Sequence, residues 1–309
     1  MSDATVAAPL ARPLLSRRGR ELLLGYAYLV PVGVCLGGTI VVPILRAIHM
    51  SLYNHVLIKP QEYRFIGLGN YARLLDDEVF WLSLWNSFVW VFGSVSLQFV
   101  GGFAAALLLH QAFVGRALVR TVTLLPWVIP GVVVALVWEF IYQPNYGALN
   151  DLLFRVGWLR ERVAWLSDPW LVMPAVIATN VWRGVPFFAI MLLAGLQAIP
   201  DDLYEAARVD GASVGQRFHH ITLPLLRPII VVATATRIIW TFNYADLIFV
   251  MTSGGPANAT QITSTYTLLQ AYSNLDFGYA ATLSVVLLLI MLAFTVVYLK
   301  TTRGVESVA

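Results

Sequence analysis

Two groups of polar and aromatic residues in apolar parts of the chain have the spacing of one helix face, i, i+4 and i+7. The first group is Asn180, Gly184 and Phe187, and the second is Arg237, Thr241 and Tyr244, with Trp240 and Asn243 beside it. Aromatic rings stack on the C–H faces of sugars, and amide and hydroxyl groups bond to sugar hydroxyls. The same residues could instead join two helices, because small and polar side chains are common at helix contacts in lipid. The pattern is compatible with both a binding surface and a helix contact.

Four ionisable residues also lie inside apolar stretches, namely Glu139, Arg183, Arg237 and Asp246. Charged groups at membrane depth are costly and often functional. They favour, as an alternative, an ion-coupled secondary transporter. Such transporters commonly have two matching halves with paired interrupted helices, and the sequence shows no such pairing.

The residue pattern predicts no catalysis and no metal binding. A phosphate-binding loop needs GxxxxGK followed by Ser or Thr, and neither Lys59 nor Lys300 lies in such a loop. His219 and His220 are adjacent, so on a helix their side chains would point about 100° apart and could not converge on one metal. We therefore expect no catalytic residue, no cofactor site and no metal site in this chain.

The composition predicts a membrane protein, because 59% of the 309 residues are hydrophobic and only 12% are charged. Ordinary soluble domains carry about twice that charged fraction. Roughly 20 apolar residues cross the hydrocarbon layer as a helix, which satisfies its own backbone groups. We predict an all-α polytopic protein with six transmembrane helices. Their approximate ranges are 22–45, 87–109, 121–142, 170–199, 228–252 and 279–299.

The distribution of basic residues predicts the orientation of these spans. Six spans place both termini on one side, and that side carries eleven of the 20 Lys and Arg residues, against seven opposite. This excess predicts cytoplasmic termini, with residues 1–21 as a tail and residues 22–309 as one transmembrane domain. The first apolar run exceeds the ~7–15 residues of a cleavable signal, so we expect it to be retained. Since Cys35 is the single cysteine, no intrachain disulfide is expected.

A polar segment at 200–227 joins the fourth and fifth spans and is predicted to be cytoplasmic. Pro200 followed by two aspartates is typical of a helix start. The Asp–Gly pair at 210 and 211 is typical of a turn, where glycine takes a positive φ without steric cost. Ser213 and Gln216 have capping-box spacing. The pattern indicates a helix, a tight turn and a second helix, although a solvated connector would show it too.

The same segment resembles the EAA loop of the permease subunits of binding-protein-dependent ABC importers. The family pattern is EAA, two residues, DGA, then F, I, LP and a further P at fixed spacing. The matching positions are Glu205, Ala206, Ala207, Asp210, Gly211, Ala212, Phe218, Ile221, Leu223, Pro224 and Pro228. The resemblance implies a type I ABC importer permease fold whose cytoplasmic EAA coupling helix seats in a cleft of an ATPase subunit. It assigns this contact to Glu205, Asp210 and Gly211, with the adjoining Ala206, Ala207 and Ala212.

Two further stretches are similar to the carbohydrate branch of this family, the maltose and glycerol-3-phosphate type. They are FIGLGNYARLL at 65–75 and TSGGPANAT at 252–260, and the six spans resemble the first of two unlike permease subunits. The resemblance implies that the sugar contacts Asn180, Gly184, Phe187, Arg237, Thr241 and Tyr244 midway through the membrane. The last three of these positions differ from the maltose type, which has a small hydroxyl residue and amides there. These departures disfavour maltose itself.

The resemblance also implies the partners. A di- or oligosaccharide or sugar derivative would arrive on an extracytoplasmic binding protein, docked on outer loops at roughly 49–85 and 143–169. A second, homologous permease would complete a heterodimer, and a dimer of ATPase subunits would bind ATP and Mg and drive alternating access. The implied location is the bacterial or archaeal cytoplasmic (inner) membrane, and no nucleic-acid partner is expected.

Arg237 raises the hypothesis that the substrate carries a carboxylate or phosphate. The alternative is a protein counter-ion, because an arginine at membrane depth is usually paired. Asp246 lies nine residues further on, about 13 Å along a helix axis. The expected counter-ion is therefore Asp246 of a bent span, Glu139, or a residue of the second permease.

Overall fold

The computed structural model describes residues 17–302, with side chains described from residue 25 onward, so residues 1–16 of the predicted tail at 1–21 lie outside the described residues. Within this range the chain is helical apart from loops and one short antiparallel hairpin, formed by β1 (Tyr53–Asn54) and β2 (Arg64–Phe65). In chain order the helices are α1 (Arg17–Leu36), α2 (Val42–Ser51), α3 (Gly69–Leu75), α4 (Glu78–His110), α5 (Arg116–Val128), α6 (Gly131–Ile141), α7 (Ala148–Arg155), α8 (Val172–Ala198), α9 (Asp201–Val209), α10 (Val214–Arg217), α11 (Leu223–Phe242), α12 (Asp246–Thr252), α13 (Thr263–Leu268) and α14 (Phe277–Thr302).

Five helical stretches in the described part of the chain are long and apolar enough to cross a membrane. They are Gly25–Ser51, Glu78–His110, Val172–Ala198, Val214–Phe242 and Phe277–Thr302. The first and fourth of these each run unbroken through a π-helical turn, at Gly37–Val41 and Phe218–Thr222. The prediction of an all-α polytopic protein is confirmed, and the five stretches overlap the first, second, fourth, fifth and sixth predicted spans.

The third predicted span, 121–142, is not a single straight helix. It consists of α5 and α6, whose axes meet at 95°. Ile129 and Pro130 between them have extended backbone, because proline disfavours a helical residue before it and cannot donate a backbone hydrogen bond. The predicted third span is thus a bent pair of helices, and a sixth span exists only if this pair is counted as one.

The fifth predicted span, 228–252, is displaced at both ends. Its helix begins at Val214 and ends at Phe242, where Asn243 donates from Nδ2 to the Ile239 carbonyl oxygen at 2.9 Å. Asparagine favours such helix ends because its side chain competes for local backbone groups. The chain then bends and resumes as α12, which has Asp246 in its first turn. Asp246 is consequently exposed and outside the long helix.

The centre of the fold is the packing of α4 along α8, with α11 against both. Trp90 of α4 and Phe188 of α8 are fully buried there. The Trp90 Nε1–H donates to the Thr241 carbonyl oxygen at 3.1 Å, which joins α4 to α11. This packing brings the two residue faces identified in the sequence, on α8 and α11, next to each other.

The first long helix contrasts with this core, because its apolar surface is uncovered. None of its most apolar window is buried, and Tyr28 and Val34 are 80% and 68% exposed. Apolar surface of this extent is stable only against lipid or another polypeptide. The helix therefore presents a surface for the membrane or for a neighbouring chain.

A group of polar side chains fastens the start of α4 to α13 and α14. Asp77 Oδ2 accepts hydrogen bonds from the hydroxyls of Tyr266 (2.6 Å) and Tyr279 (2.5 Å). Burial raises the pKa of Asp77, but these two bonds and two from backbone amides outweigh it and hold the pKa below its usual value. Nearby, Arg73 pairs with Asp276 at 2.7 Å. The stretch 65–75 is thus an ordered part of the fold.

Candidate functional site

A cavity of about 390 Å³ lies beside the helix that carries Arg237. Its lining residues are Trp127, Arg183, Arg237, Ile239, Trp240, Thr241, Asn243 and Tyr244. Five of these were identified in the sequence as the second face or its neighbours. The cavity combines aromatic rings, a hydroxyl, an amide and two guanidinium groups, which is the set of groups that binds polyhydroxylated ligands.

The residues predicted on the fourth span lie behind this wall. Asn180 is fully buried, and neither polar atom of its side chain has a partner among the described residues. Phe187 is 8% exposed and its ring lies 5.5 Å from that of Trp240 and 6.4 Å from that of Trp127. Phe187 therefore supports the aromatic wall from behind. The structure brings both predicted faces together, with the second forming the surface of the cavity.

Arg237 is held by an amide and not by a carboxylate. Its side chain is 5% exposed, and Nε–H donates to Gln98 Oε1 at 2.6 Å. Among the described residues no acidic group forms an ion pair with it. Asp246 is exposed, and Glu139 lines a different cavity. Neither of the predicted intrachain counter-ions is therefore in place.

Gln98 is the residue of this site that sequence reasoning missed. It is fully buried, and its Nε2–H donates to the Asn180 carbonyl oxygen at 2.9 Å, so its amide joins α4, α8 and α11. The signal was present, because a lone amide in an otherwise apolar span is costly unless it has partners.

A second guanidinium faces the same cavity. Arg183 Cζ lies 5.1 Å from the centre of the Tyr244 ring, within cation–π range. The Tyr244 hydroxyl is buried without a partner among the described residues. It lies where a Cβ on Gly131 would be, so the first residue of α6 has to be small. With two guanidinium groups and no carboxylate in its lining, the cavity is rich in hydrogen-bond donors.

The segment at 200–227 has the predicted helix, turn and helix. α9 ends before Gly211, whose φ of 78° is the left-handed conformation that glycine adopts without strain. Ser213 and Gln216 form the predicted capping box, since the Ser213 N–H donates to Gln216 Oε1 at 2.7 Å and the Gln216 N–H to Ser213 Oγ at 3.3 Å. The second helix, α10, continues through the π-helical turn into α11.

The side of this segment that faces away from the long helix is exposed. Glu205, Ala206 and Asp210 are exposed, and Val209 is 88% exposed. Glu205 has only a surface ion pair with Arg208, at 3.6 Å. On the inward side, the Tyr204 hydroxyl bonds to Thr222 Oγ1 at 2.9 Å and anchors α9 to the long helix. Ala207 and Ala212 are half-buried beneath the turn.

An all-helical chain with several apolar spans, a polar cavity on their central helices and an exposed helix–turn–helix between two of them defines a membrane permease. The chain belongs to the family of binding-protein-dependent transport system inner membrane components, which matches residues 98–303. This membership confirms the resemblance found at the EAA segment.

Individual relatives match nearly the whole chain. The trehalose/maltose transport system permease protein MalF of Thermococcus litoralis is 40% identical over 285 residues, 92% of this chain and 95% of the relative. The sulfoquinovosyl glycerol transport system permease protein SmoG of Agrobacterium fabrum is 36% identical, with 92% and 91% covered. A chain of the bacterial alginate ABC transporter, crystallised with its alginate pentasaccharide-bound periplasmic protein, has a TM-score of 0.80 at 25% identity, covering 93% and 96%. These relatives confirm the resemblance to the carbohydrate branch, and none is described as an ion-coupled transporter.

Proposed function

We propose that this chain forms half of the translocation pathway for a sugar or sugar derivative in an ATP-driven importer. The relatives are named for trehalose and maltose, for sulfoquinovosyl glycerol and for alginate, all of them carbohydrates. The donor-rich, aromatic cavity on α11 suits such substrates, because rings cover their C–H faces while donors meet their oxygens. The chain itself performs no chemistry.

One observation supports a mechanical link between the exposed turn and the cavity. A single unbroken helix, Val214–Phe242, runs from the exposed turn to the cavity. Its 29 residues span roughly 43 Å at 1.5 Å per residue. Arg237 and Thr241 lie near its far end, and Ser213 caps its beginning. A displacement of the turn would therefore be transmitted along this helix to the cavity wall.

The partner that pushes is, in this proposal, a separate ATPase subunit that binds ATP and Mg. α9 offers it a short helix with apolar Leu203 and Val209 exposed at 43% and 88%. The small side chains of Ala206 and Ala207 let another surface approach closely. Glu205, Asp210 and Gly211 stand at the centre of this contact, as the family resemblance assigns them.

The remaining proposed partners are a binding protein at the outer loops and a second permease at the first helix. With α9 and both termini in the cytoplasm, the stretches 65–75 and 252–260 lie outside. The second stretch is ordered, because Asn86 of α4 donates from Nδ2 to the carbonyl oxygens of Asn258 (3.0 Å) and Gln261 (3.1 Å). The outer loops at roughly 49–85 and 143–169 are the proposed dock of a sugar-loaded binding protein. The uncovered first helix is the proposed contact with a second, homologous permease.

The test is ATP hydrolysis by the assembled complex. The chain is purified with its second permease, ATPase pair and binding protein, and reconstituted in liposomes of inner-membrane lipid. A panel that includes trehalose, maltose and acidic oligosaccharides is then screened for stimulated ATPase activity. Stimulation by at least one sugar supports the proposal, whereas stimulation by none of them, with every subunit folded, refutes it.

Variants of the coupling segment test the role of the turn. Glu205→Ala should abolish stimulation while leaving the purified chain equally stable, because Glu205 is exposed and has only a surface ion pair with Arg208. Asp202→Asn is the matched control, since it removes an exposed carboxylate of the same helix outside the proposed contact. Equal loss of stimulation in the control would contradict this assignment.

A further inference from the structure

We infer that Gln98 is a positioning residue that fixes the Arg237 guanidinium and thereby sets how strictly the pathway discriminates between sugars by their hydroxyl pattern. The inference rests on the proposed function of the cavity. Gln98 does not line that cavity, and it would act only through Arg237.

The orientation of the Gln98 amide is determined by its two partners. Oε1 accepts from Arg237 Nε–H, and Nε2 donates to the Asn180 carbonyl oxygen. A reversed amide would place two donors face to face at Arg237 and two acceptors face to face at Asn180. Because Gln98 is fully buried, no water can replace either bond without a rearrangement of the core.

This bond leaves the other end of the guanidinium for a ligand. With Nε committed to Gln98, the terminal Nη1 and Nη2 have no acceptor among the described residues, while Arg237 lines the cavity. The guanidinium is planar, so fixing Nε also fixes the direction of the terminal N–H groups. Such a rigid fork matches two neighbouring oxygens, which on a sugar are adjacent hydroxyls.

Gly184 completes the arrangement by its lack of a side chain. A Cβ at this position would lie 2.5 Å from Arg237 Nη2 and would overlap the Gln98 amide. The guanidinium thus occupies space that the side chain of any residue other than glycine at position 184 would fill. Phe187 covers a further side, with its ring centre 5.8 Å from Arg237 Cζ. The guanidinium therefore has contacts that restrict it from α4 and from α8.

The lack of charge on the Gln98 amide also affects how Arg237 can bind a ligand. A carboxylate at position 98 would form a buried ion pair with Arg237 and draw the terminal N–H groups toward itself. The neutral amide accepts the Nε–H hydrogen bond without neutralising the guanidinium, so the positive charge remains available to the cavity. Gln98→Glu should therefore weaken sugar binding even though it preserves an acceptor for Nε.

The experiment measures uptake by the reconstituted complex, with the sugar that stimulates its ATPase most strongly and the monodeoxy analogues of that sugar. In the unsubstituted complex, the analogue that lacks the hydroxyl bonded by Arg237 should have a KM about tenfold higher than the parent sugar. This is the effect of one lost hydrogen bond to a charged group. Gln98→Met has a side chain of similar volume without the amide. It should raise KM for the parent sugar by about tenfold, change kcat less than about threefold, and nearly abolish discrimination against that one analogue.

Leu97→Met is the matched control, because it places the same side chain at the adjacent, exposed position of α4. Gln98→Glu, with KM raised and discrimination reduced, serves as the second variant where Gln98→Met does not assemble. If discrimination in both Gln98 variants equals that of the control, or if kcat falls while discrimination is retained, the inference is overturned. If no sugar stimulates the unsubstituted complex, the proposed function fails, and the inference falls with it.

Discussion

Replacement of Gly184 by alanine tests how tightly the Gln98–Arg237 arrangement is packed. The added methyl would overlap the Gln98 amide and approach Arg237 Nη2 to 2.5 Å. Overpacking of a core costs about 1–3 kcal/mol, and displacement of the Gln98–Arg237 hydrogen bond adds about 1.5–3 kcal/mol. Alanine returns about 1 kcal/mol of helix propensity. The expected net destabilisation is therefore roughly 1.5–5 kcal/mol.

The assay is thermal unfolding of the purified complex in detergent, together with sugar uptake in liposomes. Gly215→Ala is the matched control, because no atom lies within 4 Å of the position its Cβ would take and it lies away from the first helix. The control should be as stable as the original chain or slightly more so, whereas Gly184→Ala should unfold at a lower temperature and transport poorly. If Gly184→Ala equals the control in both measurements, Gly184 is not required by the guanidinium and the described packing is refuted.

Two further predictions concern the end of the spans opposite the 200–227 segment. Asp77→Asn keeps the helix cap but loses the charge that Tyr266 and Tyr279 bond, which should cost about 1–3 kcal/mol at pH 7. Because the pKa of Asp77 is lowered in the folded chain, its stabilisation is complete above the unfolded value of 3.8 and is lost as pH falls through the folded value. Thermal unfolding of both proteins against pH should therefore converge at acid pH, and a difference that persists there would contradict the assignment. Asn86→Ala should leave the Gln261 carbonyl oxygen without its side-chain donor and remove one of the two hydrogen bonds to the Asn258 carbonyl oxygen. It should therefore accelerate amide hydrogen exchange over 254–261, while Ser96→Ala, an exposed change on the same helix, should not. Unchanged exchange in Asn86→Ala would show that the loop is ordered by other contacts.

Local signals in the sequence predicted the helix, turn and helix of the exposed segment at 200–227. The turn at Gly211 and the capping box at Ser213 were predictable because each depends on residues within four positions. The EAA motif then identified the family from the same few positions. The spans as apolar stretches were predictable for a similar reason, since hydrocarbon thickness fixes their length.

The sequence did not predict where the helices bend or which side chains pair between them. The 95° angle between α5 and α6 depends on packing against α8 and α12, and Pro130 alone would indicate only a kink. Helix α11 ends at Phe242 although the hydropathy continues to residue 252. The sequence suggested a carboxylate partner for Arg237, whereas the fold supplies Gln98 from 139 residues away. Contacts at such sequence separation leave no local pattern.

The sharp angle between α5 and α6 bears on where water goes. At the corner, the last carbonyls of one helix and the first amides of the next have no intrahelical partners. Acyl chains cannot satisfy them, so a corner at membrane depth is stable only against protein or a hydrated space. Trp127, one residue before the end of α5, faces the cavity beside Arg237. Solvent is therefore expected to reach the middle of the bilayer along this corner, which would let a sugar exchange its hydration shell stepwise for protein groups.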